Sequence, residues 1–118
     1  MIKVLAFLKK RPDMTAEQFK RQYENGHAVF SLEYIPNAKK YVRRYVEPVV
    51  KPLTGEVSAQ DFDALTEIWF ETREDYEKDF GRIAEPEIQK LFLEDEDKLF
   101  ANHDHTIMIV VDECESAI

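Results

Sequence analysis

The order in which strand and helix signals follow one another constrains this chain most. Residues 2–9 read IKVLAFLK, an apolar run that predicts a strand buried on both faces. Thr15 and Gln18 have the spacing of a capping box, which predicts the start of an amphipathic helix. That helix is expected to carry His27 at its far end, with Gly26 marking a break. Residues 38–50 alternate in polarity and predict a half-exposed strand.

The second half of the chain begins with another alternating segment, residues 62–71. Alternation places Thr66 and Ile68 on one face of the predicted strand. Glu67 and Trp69 then lie on the opposite face. We expect the helices to cover the first of these faces and to leave the second one open.

Two helix signals and a last strand complete the chain. Thr72 is predicted to cap a helix that ends at Gly81. Pro86 is expected to open another helix, whose apolar stripe extends to Phe100. Residues 103–113 predict the final strand. The resulting order is the split βαβ, ferredoxin-like arrangement. We therefore expect one α+β domain over residues 1–118, with a four-stranded antiparallel sheet and helices on one face.

The open face of this predicted sheet is partly apolar, since it carries Leu65 and Trp69. Exposed apolar sheet faces are normally covered by a partner. The simplest partner is a second copy of the same chain, packed sheet against sheet. We therefore expect a homodimer.

Charge and cysteine content narrow the partners and the compartment. The net charge is −8, which argues against nucleic acid, because phosphate binding needs clustered basic side chains. It also argues against a polybasic membrane patch, and the apolar runs are too short to span a bilayer. The single cysteine, Cys114, and an N-terminus without a signal-peptide pattern predict a cytoplasmic protein.

Four segments carry a resemblance to a known family. They are the opening IKVLAFLKKRP, the helix from Phe19 to His27, residues 36–41 (PNAKKY) and residues 65–74 (LTEIWFETRE). In their order and spacing these segments resemble the EthD family, over nearly the whole chain. EthD proteins are small members of the dimeric α/β-barrel superfamily. The resemblance therefore implies a dimeric α/β barrel.

The resemblance also implies a range of activities. The superfamily includes muconolactone-type isomerases, polyketide cyclases, monooxygenases with and without haem, and members with no assigned activity. The fold therefore does not select a reaction. Ile68 stands where some lactone-isomerising relatives carry a cysteine, which argues against a copy of that chemistry.

His27 is the first candidate for chemistry. An imidazole titrates near neutral pH, so His27 could act as an acid, a base or a hydrogen-bond donor to a substrate oxygen. The alternative is a helix-terminal histidine that binds the last carbonyls of its helix. Tyr23 lies four residues earlier on the same helical face. It either donates to the same ligand or only packs its ring.

Glu67 is a carboxylate in an otherwise apolar strand. Burial would raise its pKa unless a cation lies beside it, and Arg43 or Arg44, one strand away, could supply that cation. We expect an ion pair in the dimer interior, beside Trp69. Because alternation turns Glu67 away from the helices, we do not expect a dyad of Glu67 with His27.

The other two histidines, His103 and His105, project from one face of the last strand. This spacing can ligate a metal ion, but no third ligand is evident nearby. We therefore expect surface histidines and no metal. The acidic run at residues 94–97 is predicted to be the solvated side of the last helix.

These residues predict a pocket between the sheet and the helices. Its expected walls are Phe7, Tyr23, Thr66, Ile68 and the loop 47–60, with Tyr41 and Tyr45 at its mouth or in cross-strand pairs. We expect a cofactor-free enzyme that isomerises, cyclises or dehydrates a small cyclic or aromatic oxygenated compound. His27 would move a proton at a carbon next to a carbonyl group. The alternatives are a non-catalytic small-molecule-binding accessory protein of a catabolic or biosynthetic pathway, and a monooxygenase of the same superfamily.

Overall fold

A computed structural model describes residues 1–118 and contains one four-stranded antiparallel sheet. The strands are β1 (Ile2–Leu8), β2 (Ala38–Tyr45), β3 (Ala64–Phe70) and β4 (Thr106–Ile109). They lie in the order β2-β3-β1-β4 across the sheet. This order and the antiparallel pairing confirm the predicted α+β, ferredoxin-like fold.

Helices cover one face of the sheet. They are α1 (Ala16–Gln22), α2 (Ala28–Leu32), α3 (Arg73–Ile83) and α4 (Pro86–Glu96). A π-helical turn, Tyr23–His27, joins α1 to α2 without a break. None of these helices has the length and hydrophobicity of a membrane-spanning segment.

The predicted helix caps are present. Thr15 Oγ1 accepts from the amide of Gln18 at 3.1 Å, and Gln18 Oε1 accepts from the amide of Thr15 at 2.9 Å. Thr72 Oγ1 accepts from the amide of Asp75 at the start of α3, also at 3.1 Å. These side chains bind amides that have no partner inside the helix.

Three predicted helix ends were wrong. Gly26 does not end the first helix, because the chain continues through the π-helical turn into α2. His27 therefore lies in the middle of a helical segment. Gly81 lies inside α3 and lacks the positive φ of a helix-ending glycine. The last helix, α4, ends before Phe100, which is nevertheless buried.

Two strands are shorter than their sequence pattern predicts. The pattern over residues 38–50 continues past the end of β2, where Pro48 has no amide to donate to a ladder. The pattern over residues 103–113 extends beyond β4 in both directions. As the edge strand, β4 pairs on one side only, with Val4–Phe7 of β1.

Strand pairing decides which side chains face the helices. Ala6 lies opposite Thr66, and Leu5 lies opposite Glu67. The Thr66 hydroxyl contacts the side chain of Tyr23, so the face that carries Ala6 and Thr66 is the helix-covered one. Because side chains alternate along a strand, Leu5 and Glu67 belong to the open face. The predicted division of β3 into two faces is confirmed.

The core lies between the covered face and the helices. Its buried cluster comprises Leu8, Phe19, Tyr23, Ala28, Ala64, Leu99 and Phe100. The ring of Phe100 meets Phe19 and Tyr23 edge to face, with centroids 5.9 and 5.8 Å apart. Full burial of a ring of this size stabilises a fold by roughly 1.5–3 kcal/mol, and such aromatic pairs add about 0.5–1.5 kcal/mol.

The connection from β2 to β3 leaves the sheet as a long loop. A single antiparallel bridge pairs Val50 with Val57, and Gly55 near its tip has a φ of +73°. Leu53 is 96% exposed. The molecule measures 47 × 42 × 21 Å, and its small third dimension reflects one sheet with a single layer of helices.

Candidate active site

A cavity of about 190 Å³ lies between the covered sheet face and the helices. Most of its wall is apolar, from side chains such as Ile68, Phe92 and Ile107. Its polar lining comprises Tyr23, His27, Ser31, Tyr41, Thr66, Glu96 and His105. Two larger depressions on the surface, of about 330 and 540 Å³, are lined mainly by polar and charged residues. An apolar wall with a few convergent polar groups is typical of a small-molecule site.

The π-helical turn brings Tyr23 and His27 to this cavity together. The amide of Ala28 donates to the carbonyl of Tyr23, five residues back, so the turn holds one residue more than an α-helical turn. The two rings meet edge to face with centroids 5.2 Å apart, and both residues are buried. Turns of this kind often occur at functional sites. This one places a phenol ring and an imidazole side by side.

Asp95 at the end of α4 orients the His27 ring. His27 Nδ1 lies 2.6 Å from Asp95 Oδ2, and both side chains are about 10% exposed. An ionised carboxylate can only accept, so Nδ1 carries the proton. The electron pair of the ring then lies on Nε2, which accepts a long hydrogen bond of 3.4 Å from the hydroxyl of Ser31. The arrangement presents His27 as a base.

Burial lowers the pKa of His27 below its ordinary value of 6.5, and the hydrogen bond to Asp95 offsets only part of this effect. The imidazole is therefore neutral at pH 7. A neutral imidazole with an electron pair on one nitrogen and a carboxylate at the other can take up a proton from a ligand.

Two phenols share the cavity with His27. The Tyr23 hydroxyl is 2.6 Å from Thr66 Oγ1, and Tyr41 is the second tyrosine of the cavity lining. Burial raises the pKa of both tyrosines above 10. Both hydroxyls stay protonated at neutral pH and can donate a hydrogen bond to a ligand oxygen.

Glu96 and His105 form a second pair at the cavity, which the sequence analysis did not identify. Glu96 Oε1 accepts from His105 Nε2 at 2.7 Å and from His103 Nδ1 at 3.0 Å. His105 is thus not the surface histidine that was expected. No three His, Cys, Asp or Glu side chains are grouped in a way that could hold a metal ion.

The prediction that the whole acidic run is solvated was also wrong. Glu94 and Asp97 are exposed, but the side chains of Asp95 and Glu96 are only 11% and 15% exposed. Helical spacing indicates which of these carboxylates are buried. Phe92 belongs to the apolar stripe, and the residues three and four positions later share its face.

The expected pocket wall is only partly present. The cavity lining contains Tyr23, Tyr41, Thr66 and Ile68, as expected, but it does not contain Phe7. Ala6 and Leu8 lie on the covered face of β1. Because side chains alternate along a strand, Phe7 lies on the open face. There it packs on Phe62, with ring centroids 5.0 Å apart. The loop 47–60 lies outside the cavity lining as well.

Tyr45 and Arg43 also lie outside the cavity lining, around Glu24 of the π-helical turn. Arg43 donates to both Glu24 carboxylate oxygens, at 2.9 and 2.7 Å, and the Tyr45 hydroxyl donates to the same group. Arg43 is therefore not the partner of Glu67. That partner is Arg44, whose Nη1 lies 2.7 Å from Glu67 Oε2 on the open face.

Trp69 lies on the open face with Glu67. Its ring contacts two ammonium groups, with Lys3 Nζ 4.1 Å and Lys40 Nζ 4.5 Å from the centroid. Its buried Nε1 has no hydrogen-bond partner within the chain. Glu67 and His27 lie on opposite faces of the sheet, as alternation predicts, and do not form a dyad.

Comparison with solved structures agrees with this architecture. A dimeric ferredoxin-like protein of Thermobifida fusca is 13% identical, with 92% of this chain and 88% of that chain covered and a TM-score of 0.50. A monooxygenase of Streptomyces coelicolor, ActVA-Orf6, solved with the ligand nanaomycin D, is 14% identical at 99% and 90% coverage, with a TM-score of 0.54. At these identities the similarity shows the fold alone.

Family comparison is more specific. No curated protein matches the chain. An EthD family protein of Bacillus halodurans is 23% identical in its solved structure, with 96% of this chain and 99% of that chain covered and a TM-score of 0.59. The EthD domain profile matches residues 11–104, which include the π-helical turn, β3, Asp95 and Glu96. The chain belongs to the EthD domain family.

Proposed function

We propose that this protein is a cofactor-free enzyme that moves a proton on a small cyclic or aromatic oxygenated compound. The reaction class is isomerisation, cyclisation or elimination. The observation that carries this proposal is that His27, which lines an apolar cavity, is held by the carboxylate of Asp95. A buried, neutral imidazole oriented by a carboxylate is suited to remove a proton from carbon.

The groups around His27 suggest how the reaction would proceed. His27 Nε2 takes the proton from a carbon next to a carbonyl group, and negative charge develops on the carbonyl oxygen. The hydroxyls of Tyr23 and Tyr41 are hydrogen-bond donors for that oxygen. A single acid–base group contributes about 10²–10⁴-fold to a rate. The apolar wall excludes water, which strengthens the electrostatic interaction of these hydroxyls with the negative charge on the oxygen.

The lining also limits the substrate. It contains no lysine or arginine, and its carboxylate, Glu96, has a pKa below the usual value. A carboxylate or phosphate on the ligand would meet repulsion without a counter-charge. A dry cavity of about 150 Å³ holds benzene, so about 190 Å³ fits one ring or two fused rings. We infer an uncharged ring compound.

The same cavity would also serve a non-catalytic binder, in which His27 and the tyrosines only hold a ligand. The Streptomyces coelicolor monooxygenase supports occupancy by a small organic molecule, because its structure with the same fold contains nanaomycin D. Binding with and without turnover must therefore be separated by experiment.

Deuterium exchange of 2-tetralone, an uncharged bicyclic ketone, separates the two functions. In D₂O, the wild type is expected to speed the loss of the α-proton NMR signals over buffer alone. His27→Gln keeps a side-chain amide for Asp95 but has no base, so the exchange rate should fall by about 10²-fold. Ligand-observed NMR should show that this variant still binds the ketone. His103→Gln is the matched control, since His103 is more exposed and does not line the cavity.

If His27→Gln exchanged the α-protons of 2-tetralone at the wild-type rate, the proposed mechanism would be excluded. Binding of the ketone by the wild type without exchange above buffer would favour the accessory binding protein.

We also propose that the protein is a homodimer, joined through the open sheet face. Leu5, Leu65 and Trp69 lie on this face, and Met108 there is 55% exposed. The Thermobifida fusca protein of the same fold is dimeric, which supports this assembly.

A further inference from the structure

Ser31, His27 and Asp95 form a continuous chain of contacts at the cavity. Ser31 Oγ lies 3.4 Å from Nε2 of His27, and Nδ1 of the same ring lies 2.6 Å from Asp95 Oδ2. All three residues are buried, and Ser31 and His27 line the cavity. The mechanism proposed above uses the imidazole and the carboxylate, so the serine hydroxyl has no role in it.

Helical spacing places Ser31 beside the imidazole. Ser31 lies in α2, four residues after His27, and residues at this spacing are neighbours on one helix face. A serine inside a helix often bonds back to the main-chain carbonyl four residues earlier. Here its hydroxyl contacts the side chain of that residue instead. Because Nε2 carries the electron pair of the ring, the serine hydroxyl is the donor in this contact.

This order of groups is that of a serine nucleophile, its base and the carboxylate that orients the base. A serine hydroxyl attacks a carbonyl group when an adjacent base takes its proton. Burial lowers the pKa of His27, so the imidazole is neutral and can take that proton. The distance of 3.4 Å between nucleophile and base is long for a hydrogen bond, and such contacts tighten when a substrate binds.

A hydrogen-bond donor for the reacting carbonyl group lies near Ser31. Burial raises the pKa of Tyr41, and interaction with the hydroxyls of Tyr23 and Ser31 opposes this effect only in part. The Tyr41 hydroxyl is therefore protonated and close to the serine. A donor beside the nucleophile stabilises the negative charge that develops on the carbonyl oxygen during attack.

We propose that Ser31, His27 and Asp95 form a catalytic triad that hydrolyses a small uncharged ester or lactone. This activity goes beyond proton transfer at carbon, with which it shares the cavity and the base. Ser31 Oγ bonds to the carbonyl carbon while His27 takes the hydroxyl proton. The bond from that carbon to the alcohol oxygen then breaks, and His27 gives its proton to this oxygen. The acyl group remains on Ser31.

Water completes the reaction. A water molecule gives a proton to His27 and bonds to the acyl carbon, the bond to Ser31 Oγ breaks, and Ser31 takes the proton back. Ester and water thus become a carboxylic acid and an alcohol, and the side chains are restored. The acid ionises at neutral pH, and its carboxylate is repelled by the anionic Glu96 of the lining. The same charge that accepts an uncharged ester therefore favours release of the product.

Hydrolysis of dihydrocoumarin tests this activity. This lactone has the skeleton of 2-tetralone with a ring oxygen in place of one CH₂ group, and the phenol formed when it opens can be followed by absorbance. The wild type should hydrolyse it faster than buffer alone. Ser31→Ala and His27→Gln should each lower that rate by about 10²-fold or more. Ser58→Ala is the matched control and should keep the wild-type rate, since Ser58 lies on the long loop outside the cavity lining.

A double variant separates a triad from independent contributions. A nucleophile and its base act as a unit, so Ser31→Ala combined with His27→Gln should lower the rate no further than either single change. If the two losses add, Ser31 does not act through His27 and the proposal is wrong.

Labelling with phenylmethylsulfonyl fluoride needs no turnover. An activated serine oxygen bonds to the sulfur of this uncharged reagent and fluoride leaves. Peptide mass spectrometry should therefore find one phenylmethylsulfonyl group on Ser31 of the wild type and none on Ser31 of His27→Gln, which lacks the base. A wild type without this label would overturn the proposal. A folded Ser31→Ala that hydrolyses dihydrocoumarin at the wild-type rate would overturn it as well.

The outcomes separate this proposal from the proposed function. If the wild type exchanges the protons of 2-tetralone but does not hydrolyse dihydrocoumarin above buffer, the triad is wrong and the proposed function stands. If it hydrolyses the lactone through Ser31 but does not exchange the ketone, the triad stands and the proposed function fails, because ester hydrolysis removes no proton from carbon.

Discussion

Asp95 determines which nitrogen of His27 is available for chemistry. Its carboxylate accepts from Nδ1–H at 2.6 Å, so the electron pair of the ring lies on Nε2. It also opposes the effect of burial on the pKa of His27, because a nearby negative charge favours the imidazolium. One side chain therefore sets both the tautomer and the proton affinity of the base.

Asp95→Asn separates these two effects. The amide oxygen can still accept from Nδ1–H, but the negative charge is lost, so the pKa of His27 should fall further below 6.5. The neutral imidazole is the active form, so the exchange rate of 2-tetralone rises with pH as His27 loses its proton. This rise, the acid limb of the pH profile, should move to lower pH in the variant. The plateau should also fall by about 10²-fold, because the imidazolium that forms lacks its counter-charge. Rates measured between pH 4 and pH 8 test both effects.

Glu94→Gln is the control for this substitution, since Glu94 lies on the exposed side of the same helix. An acid limb that moves to higher pH in Asp95→Asn would contradict the assigned role of Asp95.

Contacts with two side chains of β2 hold the π-helical turn in place. Arg43 binds the Glu24 carboxylate through two nitrogens, a geometry stronger than a single contact. The Tyr45 hydroxyl donates to the same carboxylate. The hydrogen bonds from Arg43 outweigh burial and lower the pKa of Glu24 from 4.5 to about 2. This carboxylate therefore ties the turn that carries Tyr23 and His27 to the sheet.

Glu24→Gln should destabilise the protein at pH 7. The lowered pKa means that the ionised carboxylate stabilises the fold above pH 4.5 and that this stabilisation is lost as pH falls from 4.5 through about 2. The Glu24 side chain is 34% exposed, so solvent screening limits the loss to about 1–2 kcal/mol. Urea unfolding should show this difference from wild type at pH 7, and the difference should shrink by about half at pH 3.

Glu77→Gln is the matched comparison, because Glu77 pairs with Arg73 at 3.4 Å with both side chains 63% exposed. It should change the free energy of unfolding by less than about 0.5 kcal/mol. Equal losses from the two variants would mean that Glu24 is an ordinary surface charge.

The order of elements could be predicted because it depends on local signals. The capping box at Thr15 and the alternation of β3 each act within a few residues, and the structure contains both. Alternation also predicts the position of Phe7 on the open face once its neighbours Ala6 and Leu8 are known to face the helices. The prediction failed there because the apolar β1 shows no difference in polarity between its two faces.

The site was harder to predict because it depends on contacts between distant segments. A π-helical turn leaves no clear period in the sequence, so Gly26 was interpreted as a helix break and His27 as a helix end. The burial of Asp95 and Glu96 was not predicted, because they belong to a run of four acidic residues and such runs are usually solvated. Only their partners, 68 and 9 residues away in the chain, explain why these two carboxylates are buried.

The whole molecule has two unlike faces. Helices cover one side of the sheet, and the other side carries Leu5, Leu65 and Trp69 without a cover within the chain. A stable interface buries roughly 1,200–2,000 Å² in total, and one face of a four-stranded sheet is of this order. The Trp69 ring, with Lys3 and Lys40 against it, lies on the part of this face formed by β1, β2 and β3.

Trp69→Glu should convert the proposed dimer to a monomer and leave the fold intact. A carboxylate at this position would lie near the ammonium groups of Lys3 and Lys40 in a single chain, which limits its cost there. In a sheet-to-sheet dimer it would be buried against apolar side chains, where an incompletely paired charge is strongly unfavourable. Native mass spectrometry should give twice 13.9 kDa for the wild type and 13.9 kDa for the variant. Leu32→Glu, on the helix side and 55% exposed, should remain dimeric. A wild-type monomer, or a dimer that survives Trp69→Glu, would mean that the open sheet face does not join two copies.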